Sequence, residues 1–540
     1  MFIAAVGFGQ APSWLWAKSA GGYDADYAFS VAADAAGNAY VSGVFFSSSL
    51  PFGSTTLTNS GSSDIFLTKY DANGNVLWAR RAGGWDAEYA NSVTVDASGN
   101  SYVTGGFDSP TINFGSTTLI NSNAGRSDIF LAKYDANGNV LWAKRAGGTA
   151  MNGDMAYSVK TDALGNAYLA GCFYSSSITF GSTILTNADN TGNSCDLFIA
   201  KYDANGNVLW AKNAIGMGND FSNSVTTDPY GNIYLAGGFN GIAISFGSTT
   251  LTNSDNTGNT YDFFLAKYDA NGNVLWAKSV GGTSNEKVFS IAGDASGNIF
   301  ITGWFVSDTL AIGSTTLTNS GSSDIFLAKY NSNGNVIWAK SAGGSSSDNA
   351  ESIAVDVSGN AYIVGSFYSP ILIFDSIILT KAAMYDIFFA KYDADGNVQW
   401  AKQVGANGDD HAHSVSINNT GSIYVTGSFD SNSITFDSVA LSNVGYGDVF
   451  LAKLGIGTGI NELSNSLYIS IFPNPSTNEI TIETPEKATI EILNIEGQIL
   501  KTITTAEKQT TIDVSNLSGG VYIIKAKTER GVAVKKFIKE

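Results

Sequence analysis

Short apolar runs separated by polar turns fill most of the chain, and their lengths are those of β-strands. In the stretch 30–80 the runs are Ser30–Asp34, Ala39–Phe46, Asp64–Tyr70 and Val76–Arg80. An Asp-x-x-Gly-Asn turn joins the first two runs, and a similar turn joins the last two. Such turns are typical of β-hairpins, because Gly and Asn tolerate positive φ. We therefore predict four strands, named A, B, C and D in chain order.

The composition of strands C and D predicts where each lies in its sheet. Strand C is apolar on both faces, as in Ile129–Tyr134, which is typical of a sheet packed between two neighbours. Strand D carries Lys or Arg directly after Trp-Ala in each copy, which indicates an exposed outer edge. Four-stranded units that pack face to face around an axis form a β-propeller.

The same unit recurs with a period of about 64 residues, so one supersecondary unit has been copied. Trp-Ala-Lys/Arg begins at Trp16, Trp78, Trp142, Trp210, Trp276, Trp338 and Trp400. The strand C motif begins at Asp64, Asp128, Asp196, Asp262, Asp324, Asp386 and Asp448. The chain opens on a D-type strand, Ser13–Ala20, and its last copy stops after strand C. We therefore predict an all-β fold in which residues 11–454 form a seven-bladed β-propeller of four-stranded blades, closed by the N-terminal strand.

The repeat resembles the bacterial SBBP β-propeller repeat. The resemblance rests on Gly-Asn-Ala-Tyr-[Val/Leu/Ile] and on Asp-Ile-Phe-Leu-Ala-Lys-Tyr-Asp, and it covers roughly Ser13 to Leu454. It implies a seven-bladed propeller, but it implies no particular activity, because this fold carries enzymes, lectins and scaffolds alike.

A different domain follows a Gly-rich linker at residues 455–465. Residues 466–540 lack the repeat and contain short alternating runs, at Glu479–Glu483, Thr489–Leu493, Thr511–Val514, Val521–Ala526 and Val532–Phe537. This pattern predicts a small β-sandwich.

The C-terminal domain resembles the type A sorting domain of the type IX secretion system of Bacteroidetes. The residues that carry the resemblance are Pro473, Asn474, Pro475, Gly520, Tyr522, Lys535 and Lys536. It implies recognition by the secretion translocon and a secreted or cell-surface location. An unrelated accessory sandwich is the alternative.

Charge and hydropathy narrow the classes of partner. The net charge is −18, and the whole imbalance lies before Ser466, which argues against binding nucleic acid or anionic lipid through a basic face. No apolar stretch reaches the roughly 18 residues of a membrane span. Residues 1–10 are apolar and match no repeat, so we interpret them as a signal-peptide remnant, or otherwise as a buried N-terminal strand. We expect a monomer.

One acid recurs in the connection from strand D to strand A. The seven are Asp26, Glu88, Asp154, Asp220, Glu286, Asp348 and Asp410. They are candidate ligands of a hard cation such as Ca²⁺ at a channel mouth. The alternative, which we favour, is that each accepts backbone hydrogen bonds from the next blade, and we expect no bound cofactor.

The histidines and cysteines each leave two interpretations open. His411 and His413 are the only histidines, and His-x-His beside acids is a zinc pattern, although both occupy packing positions of the repeat. Cys172 and Cys195 lie at the end of strand B and the start of strand C of the third unit. Both a disulfide and two buried free thiols remain open for this pair.

A ligand site should lie where the chain departs from its own repeat. Between strands B and C each unit inserts a hairpin, and the third and fourth units lengthen it. The candidate ligand-binding residues are Trp85, Trp304, Asp189, Asn193, Asp255 and Asn259. With no catalytic motif present, we expect a binding or adhesion module for a glycan or protein, with neutral or cationic ligands favoured over uronic or sulfated ones. A polysaccharide-active enzyme and a purely structural surface protein are the alternatives.

Overall fold

The chain divides into two compact units, residues 1–456 and residues 457–540. The computed structural model describes residues 11–149, 152–189, 191–455, 469–484, 487–494, 498–505, 508–528 and 531–540. The predicted signal remnant at residues 1–10 and nearly all of the predicted linker lie outside these ranges. Regular structure within them is entirely β, and they contain no helix of the length and apolar character needed to cross a membrane.

Seven four-stranded sheets form the described part of the N-terminal unit, each in the order A-B-C-D. The A strands are Asp26–Ala33, Glu88–Val95, Met155–Thr161, Asp220–Thr227, Glu286–Gly293, Asp348–Val355 and Asp410–Ile417. The B strands are Ala39–Phe45, Ser101–Phe107, Ala167–Phe173, Ile233–Phe239, Ile299–Phe305, Ala361–Phe367 and Ile423–Phe429. The C strands are Asp64–Tyr70, Asp128–Tyr134, Asp196–Tyr202, Asp262–Tyr268, Asp324–Tyr330, Asp386–Tyr392 and Asp448–Leu454. The D strands are Val76–Ala82, Val140–Ala146, Val208–Asn213, Val274–Val280, Val336–Ala342, Val398–Val404 and, in the seventh sheet, Trp14–Ala20.

A short hairpin lies between strands B and C of every sheet, as the sequence predicts. The hairpin strands pair as Ser49–Phe52 with Thr55–Thr58, Thr111–Phe114 with Thr117–Ile120, Ser177–Phe180 with Thr183–Thr186, Ala243–Phe246 with Thr249–Thr252, Thr309–Ile312 with Thr315–Thr318, Ile371–Phe374 with Ile377–Thr380, and Ser433–Phe436 with Val439–Ser442. In the fourth sheet the two-residue strand Ile215–Gly216 adds to this hairpin.

The N-terminal strand belongs to the last sheet. Trp14–Ala20 pairs antiparallel with Asp448–Leu454, with Ala17 opposite Ala452. The A strands contact one another in chain order, and Asp26–Ala33 contacts Asp410–Ile417. The A strands are therefore the innermost strands and the D strands are the outer edges.

The core lies between neighbouring sheets, because strands B and C are buried along nearly their whole length. One cluster joins Leu67 of the first sheet to Phe107 and Phe130 of the second. The Trp of strand D covers the next sheet, where the indole N–H of Trp78 donates to the Ala136 carbonyl at 3.0 Å. The apolar character of strand C on both faces follows from this packing.

The hairpin turns also form as predicted. The Asp71 carboxylate accepts the backbone N–H groups of Asn73 and Asn75, at 2.8 Å each, and Gly74 has φ of 81°. The acid therefore stabilises a turn that only Gly closes without strain.

The observed bounds of strands A and D are wider than predicted. In the first sheet strand A begins at Asp26 rather than Ser30, and strand D continues to Ala82 rather than Arg80. Residues 26–29 were missed because they are polar and aromatic rather than aliphatic.

The C-terminal unit contains two sheets, one of three and one of four strands. Its strands are Ser470–Phe472, Glu479–Glu483, Thr489–Leu493, Ile499–Thr504, Gln509–Asp513, Gly520–Thr528 and Gly531–Lys539. Its own core includes Ile480, Ile492 and Ile524. The pattern of apolar and polar residues did not predict two of these strands, Ser470–Phe472 and Ile499–Thr504.

Candidate binding cavity

The innermost strands present a fixed pattern of side chains, with variable residues at two positions. In the first sheet the acid Asp26 and the small residue Ala28 are fully buried, and Ser30 follows a β-bulge after Ala28. The first and third residues after each acid vary between sheets, and because side chains alternate along a strand they share one side. The third residues, such as Phe29, line a cavity.

This cavity has a volume of about 520 Å³ and receives side chains from all seven sheets. Its aromatic lining comes from Phe29, Tyr157, Tyr174, Phe221, Tyr261 and Phe289. Its other lining residues are Asn91, Asn219, Asn223, Cys172, Cys195, Lys287, Glu351 and His413. Such a volume is typical of small-molecule sites, which span about 300–1,000 Å³.

The charged side chains of the cavity lie on the fifth, sixth and seventh sheets. His413 Nδ1 is 2.6 Å from a Glu351 carboxylate oxygen, and the ring of His413 stacks on that of His411, with centroids 6.0 Å apart. Burial raises the pKa of Glu351, but the charge and hydrogen bond of His413 outweigh it, so that pKa lies below its ordinary value. Burial lowers the pKa of His411. Only His413 of this pair lines the cavity, whereas His411 packs between His413 and Tyr385.

Lys287 is the cavity's only lysine among its lining residues. Its Nζ lies 4.4 Å from the centroid of the Phe289 ring and 5.8 Å from that of Phe221. Burial lowers the pKa of Lys287, an effect that the charge of Glu351 partly offsets. An ammonium over aromatic faces is stabilised by the ring quadrupoles.

The two cysteines meet at the cavity wall as free thiols, so the disulfide alternative is not realised in this structure. Cys172 Sγ lies 3.6 Å from the Tyr157 hydroxyl, and the Cys195 thiol donates to the Asp220 carbonyl at 3.5 Å. The hydrogen bond with Cys195 and burial raise the pKa of the Cys172 thiol. The same hydrogen bond lowers the pKa of the Cys195 thiol, so burial, rather than protonation, is what keeps both thiols from oxidants in solution.

We therefore expect the exported protein to retain both thiols. Iodoacetamide should modify neither Cys172 nor Cys195 in the native protein, because they are only 1% and 2% exposed, and should modify both in urea. Mass spectrometry of non-reduced peptides checks this result. A disulfide-linked peptide pair from freshly exported protein would contradict it.

The seven recurrent acids do not face the cavity; each is at most 1% exposed. The Asp26 carboxylate accepts the Gly22, Phe46 and Ser47 backbone N–H groups and the Ser47 hydroxyl at 2.9–3.2 Å. These donors belong to the acid's own sheet and its preceding loop, not to the next blade as we expected. No group of three or more His, Cys, Asp or Glu side chains suited to a metal ion occurs within the described ranges.

The fourth sheet breaks this pattern. Gly241 stands where the other sheets have the serine, and neither carboxylate oxygen of Asp220 has a hydrogen-bond partner. Burial, with the nearby Asp196 and Cys195, raises the pKa of Asp220 well above its ordinary value. The backbone carbonyl of this acid accepts the Cys195 thiol, so Asp220 lies directly behind the thiol wall of the cavity.

The buried acids should make the protein more stable in mildly acidic than in alkaline solution. Burial raises the pKa values of Glu88 and Glu286 to about 7. Such an acid binds its proton more tightly in the folded state, so its stabilisation is present below the unfolded pKa of about 4.3 and is lost as pH rises through the folded pKa. Each glutamate should contribute about 2–3 kcal/mol at pH 5 that is absent at pH 8.

Urea unfolding at pH 5 and pH 8 measures this dependence. The urea concentration at the midpoint of unfolding should be lower at pH 8 than at pH 5. The double variant Glu88→Gln/Glu286→Gln should show a smaller difference between the two pH values. A higher midpoint at pH 8 would refute the predicted sign.

Trp85 and Trp304, two of the predicted ligand-binding residues, are not among the residues that line the cavity. Trp85 is 88% exposed in the loop before the second A strand. Trp304 lies on the fifth B strand, opposite Lys287 in register. The two tryptophans therefore belong to sheets that do not neighbour each other, and only Trp304 lies beside a cavity residue.

The lengthened loops of the third and fourth units satisfy their own polar groups. The Asp189 carboxylate accepts hydrogen bonds from Thr191 and Ser194, which hold its pKa at about 2. Asp255 accepts the Thr257 hydroxyl at 2.6 Å, and the amides of Asn193 and Asn259 donate to the threonine of their own loops. These contacts stabilise turns and leave Asp189, Asn193, Asp255 and Asn259 outside the cavity lining.

A second cavity of about 570 Å³ lies at the A–B turns, at the other end of the A strands. Its acids are turn residues, and the Asp228 carboxylate, for example, accepts two backbone N–H groups of its own turn at 2.9 Å. The first cavity therefore offers the more varied chemistry.

Residues missed by the sequence prediction include Tyr157, Lys287, Phe289 and Glu351. A signal for them exists: they follow the recurrent acid by one or three residues, at positions whose residue type changes from copy to copy. Positions that vary between otherwise similar copies of the repeat are those whose side chains are not required for packing between sheets.

The sorting-motif residues of the C-terminal unit surround its last strand. The Asn474 side chain donates to the Lys536 carbonyl at 3.1 Å and accepts the Ile538 N–H at 2.8 Å. The Tyr522 ring stacks on Phe537, and its hydroxyl donates to the Ser518 carbonyl at 2.8 Å. Lys535 Nζ donates to the Ile469 carbonyl at 3.1 Å. Pro473, Pro475 and Gly520 flank these contacts in the chain, so the motif forms one connected element.

Comparisons with known proteins give a relative and two solved structures of limited similarity. The chain is 28% identical over 509 residues to an uncharacterized WD repeat-containing protein of Acanthamoeba polyphaga mimivirus, covering 78% of this chain and 36% of the relative. The chain thus spans about a third of that relative's length. The WD40 domain of Neurospora crassa Pan2 has a TM-score of 0.39 and 9% identity, over 80% of this chain and 97% of that chain. PorZ of Porphyromonas gingivalis, an essential surface component of its type-IX secretion system, has a TM-score of 0.16 and 10% identity, over 97% and 100%.

The C-terminal unit gives a direct family match. Residues 470–540 match the family model of the secretion system C-terminal sorting domain. The sandwich and its motif contacts thus belong to an export signal rather than to an unrelated accessory domain. The chain is therefore exported through the type IX secretion system to the cell surface or the extracellular space.

Proposed function

We propose that the seven sheets are the blades of a closed β-propeller of the SBBP repeat type. The observation that supports closure is a series of hydrogen bonds between innermost strands, in which each recurrent serine hydroxyl accepts an N–H of the next sheet. The pairs are Ser30 with Val93, Ser92 with Val159, Ser158 with Val225, Ser224 with Ile291, Ser290 with Ile353, Ser352 with Val415, and Ser414 with Val31. The last pair, at 3.1 Å, joins the seventh sheet to the first.

The propeller is a binding module, in our proposal, and its ligand is a glycan or a protein segment that enters the cavity. The observation that carries this function is the division of roles on the innermost strands. Acid, small residue and serine are kept in almost every copy for packing, whereas the third residue after the acid is of five different types among the seven sheets. A site that selects one ligand needs such unequal side chains, because identical units specify nothing.

An extracellular polysaccharide-active enzyme is the second candidate. His413 Nε2 lies 3.5 Å from the Ser428 hydroxyl, and its other nitrogen contacts Glu351, which is the order of groups in a serine hydrolase and would suit ester groups on a polysaccharide rather than its glycosidic bonds. However, Ser428 is 2% exposed and does not line the cavity, so a substrate carbon could not reach its hydroxyl. We therefore favour binding over catalysis.

A glycan array and capture of surface proteins, both with the full-length chain, test the binding function. Tyr174→Ala/Tyr261→Ala removes two aromatic cavity residues and should weaken binding about tenfold or more, since each ring contributes stacking area. Trp85→Ala is the matched control, because Trp85 is exposed and apart from the cavity, and it should bind like the wild type. Equal binding by the wild type and the cavity variant would reject the site. Product release from a polysaccharide panel would favour the enzyme instead.

A further inference from the structure

The cavity differs in charge from the rest of the protein. The chain has a net charge of −18, yet the charged lining residues of the cavity are Lys287, Glu351 and His413. Glu351 is already bound by His413 at 2.6 Å. None of the ion pairs formed by the described residues includes Lys287. Lys287 thus faces the cavity without a direct ion pair, and the nearby carboxylate of Glu351 is held by His413.

The surroundings of Lys287 make an anion the favourable partner. Its ammonium lies against the Phe289 and Phe221 rings, which attract a cation but supply no hydrogen-bond acceptor of full charge. Removing an ammonium from water is costly unless it is paired. A carboxylate placed beside Lys287 would provide that pairing within a partly desolvated site, where such contacts are stronger than in water.

The remaining lining indicates what the carboxylate is attached to. Tyr157, Tyr174 and Tyr261 present aromatic rings to the cavity. Aromatic faces pack well against the C–H surfaces of ligand rings. The Asn91 and Asn223 amides donate to the Ala156 and Val288 carbonyls at 2.9 and 2.7 Å, so the amides are held in place and their oxygens remain as acceptors for hydroxyl groups. A sugar ring carries both features, namely C–H faces for the aromatic rings and hydroxyl groups for the amide oxygens.

We propose that the cavity binds a carboxylate-bearing sugar, such as a uronic acid unit of a polysaccharide, with the carboxylate at Lys287 and the ring against the tyrosines. The inference rests on the proposed binding function and specifies its ligand class. It reverses the preference for neutral or cationic ligands that the sequence suggested. That preference assumed seven acids at the channel mouth, whereas all seven are buried, and donors such as Ser47 and Ser175 bind those of the sheets other than the fourth.

Trigalacturonate and its methyl ester, titrated calorimetrically into the full-length protein, test the proposal. The ester keeps the sugar's shape but removes its charge, so it should bind about tenfold or more weakly. Lys287→Met should weaken the acid by a similar factor and abolish the discrimination between acid and ester. Lys212→Met removes one charge from an exposed outer strand and should change neither affinity.

Each other result has a distinct meaning. Equal affinity of the wild type for acid and ester, or loss of binding in Lys212→Met but not in Lys287→Met, would overturn the proposal and leave the binding module intact. Preference for a peptide with a C-terminal aromatic residue would replace the sugar by a protein segment. No binding of any glycan or peptide in the array and titrations would overturn both the ligand class and the proposed function. Should Lys287→Met fail to fold, the comparison of acid and ester on the wild type still decides.

Discussion

A chain that ends at Leu454 is expected to fold normally and to remain in the periplasm of its native host. The N-terminal unit has its own cores, and the C-terminal unit has a separate one around Ile480 and Ile524. The sorting domain at residues 470–540 carries the export information, so its loss should remove the protein from the medium and the cell surface almost completely. Fractionation with antibody detection, and circular dichroism of the purified truncated chain, measure both parts.

A reporter provides the control for that experiment. Residues 455–540 fused to an unrelated periplasmic protein should carry it across the outer membrane. Export of the truncated chain at wild-type levels would show that the signal lies elsewhere.

Removing the N-terminal strand Trp14–Ala20 should destabilise the whole N-terminal unit. Trp14 is 6% exposed and packs edge-on against Phe436 with centroids 5.1 Å apart, and the strand covers the edge of Asp448–Leu454. Loss of a buried tryptophan alone costs about 3–5 kcal/mol, and an uncovered strand edge promotes aggregation. Thermal unfolding and size-exclusion chromatography should show a lower melting temperature and oligomers. An unchanged melting temperature in a monomeric product would contradict closure.

A matched pair of serine variants tests closure without removing a strand. Ser158→Ala breaks a hydrogen bond between the third and fourth sheets, and Ser414→Ala breaks the one between the seventh and the first. Each should cost about 1–3 kcal/mol, because a buried N–H is left without an acceptor. In an open array only Ser158→Ala would be destabilising.

Much of the fold could be predicted because each strand repeats its local chemistry. The Asp71 turn needs only residues within its own five-residue window, and strand C shows its burial in its composition. The start of strand A was lost because Tyr27 and Phe29 belong to the cavity side rather than to the aliphatic core. The missed tail strand Ile499–Thr504 lies largely exposed, so it lacks the burial pattern that marked its neighbours.

The candidate site was harder to predict, for reasons visible in single residues. An acid in a loop looks the same whether it is exposed or buried, and the burial of Asp26 depends on Ser47, 21 positions away. Trp85 is a candidate because it departs from the repeat. A tryptophan that is only exposed in a loop departs from the repeat in the same way, so the departure alone does not identify a binding residue. Lys287 and Glu351 line one cavity only because separate sheets pack together. No local sequence pattern predicts that packing.

Hydrogen–deuterium exchange of the full-length protein, with and without the best-binding glycan, tests most directly whether the ligand enters the cavity. Binding there should slow exchange in the A strands Glu286–Gly293, Asp348–Val355 and Asp410–Ile417, and leave the loops around Trp85 and Asp189 unchanged. Protection confined to those loops, with the A strands unaffected, would contradict a cavity site and return the ligand to the surface.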